Sequence, residues 1–535
     1  VPNAELVIHG TVLTADEAQP TAEALAIADG RITAVGSKVD IEAFVGPDTE
    51  VIDIGDACVL PGLIEAHGHP LMEAIALSDR LVDIRPVTIA DPDQVVAAIK
   101  AEVAKRGDEG AYLNGWDPLL QDGLPEPTLD WLNGIAPDGP LVIIHNSGHK
   151  AYFNSAAAAR AGLTRDTPDP KGARYGHDAS GELDGTAEET GAVFPLLAGA
   201  IQPSDYPAML LAECARLNRA GLTTCSEMAF DPMFRPMLLQ LRDQLTVRLR
   251  TYEMSTAAMT TDETVDNGDD TVRQVGIKIW VDGSPWVGNI DLSFPYLDTD
   301  ATRAIGVVPG SCGHANYTRE QLTEIVEAYF PLGWQMACHV QGDKGVDTIL
   351  DVYSEALRKH PRTDHRLRLE HVGAISDEQL QRAADLGVTC SIFVDQIHYW
   401  GDIIVDGLFG VEHGSRWMPC GSAVATGMRI SLHNDPPVTP EEPLRNISVA
   451  ATRTAPSGRV LGPEQLLTVD QAIRAQTIDA AWQLFSDDAI GSLEVGKYAD
   501  FVVLSADPRT VSAEDIADLE VRATYLAGRR VYAKS

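Results

Sequence analysis

CVLPGLIEAHGH, residues 58–69, is an apolar, turn-rich run that ends in two histidines one residue apart. On a strand, side chains alternate between faces, so His67 and His69 point the same way and can grip one metal ion. Two polar residues closing a strand would look the same. What decides between these readings is whether other ligand-type residues fall at the ends of further strands, where barrel enzymes carry their chemistry.

Seven more apolar or alternating segments follow, with helix-like stretches between them. They are GLTTCSEM (221–228), TVRLRTYEM (246–254), GIKIWVDG (276–283), WQMACHV (334–340), LRLEHVG (367–373), VTCSIFV (388–394) and RISLHND (429–435). Eight strands alternating with helices predict an α/β fold built on a (β/α)8 TIM-like barrel over 58–74 and 211–489. The gap between the first two segments is far longer than one crossover helix needs. Residues 75–210 are therefore expected to form an inserted small α/β domain, with GPLVIIHNSGHKAYFNSAAAARAGL as its clearest strand, loop and helix. Both chain ends read as short strands, among them ALAIADGRITAVG with Asp29-Gly30 as a tight turn, and RATYLAGRRVYAKS with a Gly-centred hairpin. Residues 1–57 and 490–535 are expected to build one composite β-sandwich domain.

The remaining ligand candidates lie on the barrel strands. Lys278 in GIKIWVDG shares a face with Trp280 and Asp282, and an amine pointing into a barrel is costly unless neutralised. An ion pair with Asp282 is one solution; reaction with carbon dioxide to a carbamate that bridges two metal ions is another. His339 ends WQMACHV, His371 ends the strand in LRLEHVG, and Asp435 closes RISLHND with His433 on the same face. Each alone suits packing or helix capping. Together they offer four imidazoles, one carboxylate and one carbamate, enough for one or two divalent ions of the zinc type with a position left for water.

The bulk numbers exclude several other classes. Of 535 residues, 78 are acidic and 41 basic, a formal charge of −37 that repels phosphate backbones and anionic bilayers, so neither nucleic acid nor membrane is expected as partner. Seven cysteines with no Cys-x-x-Cys pair fit scattered thiols of a reducing, cytoplasmic compartment. No apolar run approaches the roughly 18 residues of a membrane span. The start, VPNAELVIHG, has no signal-peptide pattern, and its lack of Met implies trimming. A homodimer is the working expectation.

The chain resembles the metal-dependent amidohydrolase superfamily, in the branch that includes N-substituted formamide deformylase. VLPGLIEAHGH is similar to its first-strand signature, KIWVDGS to its carbamate-lysine strand, CHVQGDKGVD to its fifth-strand histidine, RLEHVG to its sixth strand and LHNDPPVTP to its aspartate loop. Glu65 stands where the family more often has Asp. The resemblance implies that His67, His69 and Asp435 hold one ion, that His339 and His371 hold a second, and that carboxylated Lys278 bridges them. It implies hydrolysis of non-peptide C–N bonds, of N-substituted formamides or N-acyl amines, by attack of metal-bound hydroxide on the carbonyl, with Asp435 as general base and then acid.

In the loops after the strands, Trp286, Tyr296, His398, Tyr399 and Trp400 are expected to line a pocket for the group on the amide nitrogen, with packing of those loops as the competing reading. His149 in the insertion is placed within reach of the same pocket. An ester or lactone hydrolase using the same centre, or a noncatalytic binding barrel, are the alternatives. GSLEVGKY matches Gly-x4-Gly-Lys but has Tyr498 where a phosphate loop needs Ser or Thr, and no Gly-x-Ser-x-Gly elbow occurs.

Overall fold

The structure is a computed structural model that describes residues 3–197, 199–255 and 267–534. Its centre is a nearly closed barrel of eight parallel strands in sequential order: β1 Leu63–Gly68, β2 Leu222–Phe230, β3 Arg248–Met254, β4 Val272–Trp280, β5 Gln335–Val340, β6 Arg368–His371, β7 Thr389–Ile392 and β8 Ile430–Leu432. These are the eight segments expected from the sequence. Strands buried on both faces read as near-continuous apolar runs, which is why they stand out. Between β8 and β1 the ladder is replaced by one residue, through its side chain and its backbone. Gln476 donates to the carbonyls of both Ile64 (3.1 Å) and Leu432 (3.0 Å), and its own backbone carbonyl accepts from the Ile64 N–H at 2.9 Å.

The outer helices show why they start and how they dock. Helix Asp377–Asp385 opens on a reciprocal cap between Ser376 and Gln379, and helix Arg319–Tyr329 on one between Thr318 and Gln321. Helix Asp343–Lys359 buries Val346, Ile349, Leu350, Tyr353 and Ala356, a stripe at helical spacing that faces the barrel.

Both termini contribute to one mixed seven-stranded sheet in the order Arg529–Ala533, Val521–Leu526, Phe501–Leu504, Glu50–Pro61, Leu6–Leu13, Thr21–Ala28 and Arg31–Gly36. The expected turn is there: Asp29 and Gly30 have φ of 51° and 72°, as a two-residue hairpin loop requires. Residues 58–61, read from sequence with the first barrel strand, belong to this terminal sheet. The chain leaves it for β1 at Gly62, where a Cβ would sit 2.1 Å from the Thr223 hydroxyl, so only glycine fits the crossing. In the Gly-x4-Gly-Lys stretch, Lys497 is held by Ser492 and Glu494 of its own turn, and Tyr498 lies against the guanidinium groups of Arg31 and Arg248, 4.0 Å from each.

Between β1 and β2 lies the third sheet, six-stranded, in the order Arg174–His177, Leu183–Glu188, Lys150–Phe153, Leu141–His145, Ala111–Trp116 and Val82–Asp83. All seven cysteines are free. Among the described residues no helix is long and apolar enough to cross a membrane.

Candidate metal centre and pocket

The barrel delivers the ligand-type side chains to one end. His67 is the penultimate residue of β1, and His69 follows the strand as the residue before helix Pro70–Ala76. Lys278 lies near the end of β4, His339 near the end of β5 and His371 at the end of β6, while His433 and Asp435 follow β8. His371 and Asp435 have φ of 72° and 55°. Asp and His tolerate this left-handed region better than branched residues, and it turns the chain sharply at two of the strand ends.

The six residues expected from the sequence, His67, His69, Lys278, His339, His371 and Asp435, all line one cavity. His67 Nδ1 lies 2.6 Å from Glu370 Oε2, and its Nε2 lies 3.0 Å from Lys278 Nζ and 3.6 Å from Asp435 Oδ1. His69 Nε2 is 3.3 Å from the same Asp435 oxygen, and its Nδ1 is 3.5 Å from Glu227. His339 Nε2 donates to the Gly283 carbonyl at 2.7 Å. His371 Nδ1 meets His433 Nε2 at 3.0 Å, and His433 Nδ1 meets the Ser391 hydroxyl at 2.9 Å. At this end of the barrel, among the described residues, two sets of ligand atoms lie within 4.8 Å of one another: His67, His69 and Asp435, and His67, His371 and His433. His433 thus joins the second set. His339 stands beside it, its ring 4.4 Å from that of His371.

The donor chemistry fits a divalent ion. Burial, reinforced by the nearby cations, pushes His67, His339 and His371 well below the usual imidazole range, which leaves them in the neutral form that binds metals. The carboxylate on His67 Nδ1 and the carbonyl on His339 Nε2 each take the N–H of their ring, so the other ring nitrogen carries the lone pair, a common outer-shell arrangement at metal sites. Burial would raise Asp435, yet the bond to His69 outweighs it and holds the carboxylate below its ordinary range. Burial also brings the Lys278 amine down to about 8. Asp282, its candidate ion-pair partner, is engaged elsewhere: it accepts the backbone N–H groups of Gln341, Gly342 and Asp291.

The cavity encloses about 760 Å³ out to its mouth. Its floor is the imidazole and carboxylate cluster; its walls are apolar, with Met72, Ile144, Val193, Phe194 and Leu197 prominent. Most of that wall comes from the inserted segment. His149 lies there too, with Nδ1 at 2.8 Å from Glu189 and its ring 4.7 Å from that of His339.

The loop aromatics are placed otherwise than expected. Trp286 and Trp400 stack on each other, 4.6 Å between centroids and 16° between planes, wholly buried, and Trp400 Nε1 donates to Asp117 of the insertion. Tyr296 is buried against Phe409, His398 accepts from Arg445 at 3.2 Å, and Tyr399 borders a separate small cavity. None of the five lines the main cavity. Large rings with a polar handle gain most from full burial with that handle paired, and these serve to join loops.

Sequence reasoning did not single out Glu370, Glu227 or Glu189, each of which holds a site histidine through its carboxylate. It noted His433 only as a neighbour of Asp435. Nor did it find Val193 and Phe194, which reach the cavity from a helix, Thr190–Leu197, remote in sequence from every barrel strand.

Comparison with known proteins agrees with this geometry. Residues 50–532 match the Amidohydrolase family, Amidohydro_3. The chain is 26% identical to N-substituted formamide deformylase of Arthrobacter pascens over 98% of its own length and 97% of that protein. It is 28% identical to Protein LONG AFTER FAR-RED 3 of Arabidopsis thaliana, over 98% of this chain and 91% of that one. The fold is shared with an uncharacterized metal-dependent hydrolase from Pyrococcus horikoshii, with a TM-score of 0.74 at 23% identity over 95% of this chain and 99% of the other. With its barrel, its cluster of ligands and a match along nearly its whole length, the chain belongs to the amidohydrolase family.

Proposed function

We propose that this protein hydrolyses the C–N bond of small N-substituted formamides or related N-acyl amines, using one or two divalent ions of the zinc type. The observation that supports this most is the conjunction, in one cavity, of a floor where His67, His339 and His371 are held neutral beside an ionised Asp435 with a high apolar wall. A small acyl group suits the crowded polar floor. An apolar substituent on nitrogen suits the wall of Val193, Phe194 and Leu197. The full-length relative named N-substituted formamide deformylase points to the same substrate class.

His67, His69, His339, His371, Asp435 and Lys278, with His433 close by, are the residues that would hold the ions. When bound, such ions acidify water toward a pKa of roughly 7 and polarise a carbonyl oxygen. Asp435, anionic and facing the cavity, takes the proton of the attacking water at its carboxylate and returns it to the departing nitrogen. The inserted segment covers the floor and limits entry of bulk water. Lys278 is the residue for carboxylation: with its amine near 8, a useful fraction is neutral at physiological pH, and its nitrogen can bond to the carbon of CO2 with loss of one proton.

The test is a screen of N-substituted formamides against matched esters and lactones, following release of amine and formate together. Equimolar amine and formate is the expected result; turnover of esters alone would overturn the C–N assignment. Lys278→Ala is expected to lower the content of bound zinc-type metal, counted by elemental analysis, from two ions per chain to one or none. Unchanged metal content would remove the bridging role of Lys278.

A further inference from the structure

Outside the barrel centre, Glu73, Glu213 and Glu441 bring a ligand oxygen each within 4.8 Å of one another and share no residue with the centre. They come from three elements. Glu73 is in helix Pro70–Ala76, four residues after His69; Glu213 is in helix Tyr206–Arg219; Glu441 is in the segment that follows Asp435. Glu73 and Glu213 are wholly buried. Buried polar atoms are nearly always paired, and each exception calls for an explanation such as a missing ion. Here four buried carboxylate oxygens, both of Glu73 and one each of Glu213 and Glu441, meet no donor among the described residues outside the three acids and face only one another. Arg216 pairs only with the other oxygen of Glu213, and Arg85 is committed to Asp83 and the Pro437 carbonyl.

We propose that these three carboxylates form a second cation site, separate from the barrel centre, for one hard divalent ion of the Ca2+ or Mg2+ class. The ligands are oxygen only, with no imidazole or thiolate in the set, which favours hard ions over zinc. One divalent charge offsets most of three buried negative charges that would otherwise repel. Without it the acids must hold protons: burial and the neighbouring carboxylates keep Glu73 far above the usual range and bring Glu213 to about 9. The ion ties the segments that carry His69 and Asp435 to helix Tyr206–Arg219, so it supports the geometry of the centre from behind. Arg216, partly exposed, pairs with Glu213 on the outer side of the cluster.

The experiment starts from protein already filled with its barrel-centre ions, dialysed against CaCl2 or MgCl2 and counted by elemental analysis, with thermal unfolding alongside. Wild type is expected to take up one further ion per chain and to gain roughly 2–4 °C in melting temperature. Glu73→Gln and Glu441→Gln are each expected to lose that further ion while keeping the centre ions. This separates the site from loose binding to an acidic surface. No additional ion at millimolar concentration, or one retained in both variants, overturns the proposal. If Glu73→Gln does not fold, Glu441→Gln decides, since Glu441 is only half-buried on a connecting segment.

Discussion

Asp435→Asn is expected to lower kcat by about 10²–10⁴-fold, the range for removing a positioned general acid–base, with a much smaller change in KM. The substitution keeps the size of the side chain and removes its charge and its ability to take a proton. In the native cavity one Asp435 oxygen lies 3.3 Å from His69 Nε2 and 3.6 Å from His67 Nε2, and the other lies 4.0 Å from His371 Nδ1. Among the described residues no second carboxylate lines the cavity to take over. Steady-state kinetics across pH, with metal content measured on the same samples, separate loss of the proton carrier from loss of an ion. Turnover equal to wild type, with metals retained, would end the assignment of Asp435 as base.

The strands that build this site were legible because each is an apolar run that ends in a residue no apolar core would select. Lys278, His339, His371 and Asp435 are conspicuous for that reason, and their order along the chain carried the fold. The border at 58–61 was not legible. Strand Glu50–Pro61 and β1 are both apolar there and only Gly62 separates them, so composition cannot tell which sheet each half joins. Trp286 and Trp400 misled for a different reason: their stacking joins loops more than a hundred residues apart, and an aromatic residue after a strand looks the same whether it faces a ligand or another ring. Val193 and Phe194 sit in an apolar helix of the insertion whose sequence has no mark of the barrel mouth. Glu370 was hidden by the strand alternation itself, since it precedes His371 and faces the opposite way, yet that is what lets it reach His67 across the barrel.

That buried Glu370 makes the largest stability prediction. Arg368 and Glu370 are both wholly buried, with Arg368 Nη2 donating to Glu370 Oε2 at 2.9 Å and Nε 2.7 Å from Oε1. Arg368 also donates to the Tyr252 hydroxyl and the Ala66 carbonyl, so one guanidinium connects β6 to β3 and β1. Arg368→Met keeps most of the volume but strands a carboxylate in the barrel interior, and breaking such a pair costs about 3–5 kcal/mol. The midpoint of thermal unfolding should fall by roughly 3–5 °C for a chain of this size. The double variant Arg368→Met with Glu370→Leu removes both charges, and the expected outcome is recovery of much of that loss, because the cost lies in the unpaired charge more than in the missing bond. Metal affinity should not recover with it: an aliphatic side chain in place of Glu370 cannot accept the Nδ1–H of His67, and losing an outer-shell partner of this kind typically costs about 10–100-fold. Stability restored with metal affinity still weak would assign the pair two separable duties, holding the barrel and aiming His67. Recovery of both together would mean that His67 needs no carboxylate behind it.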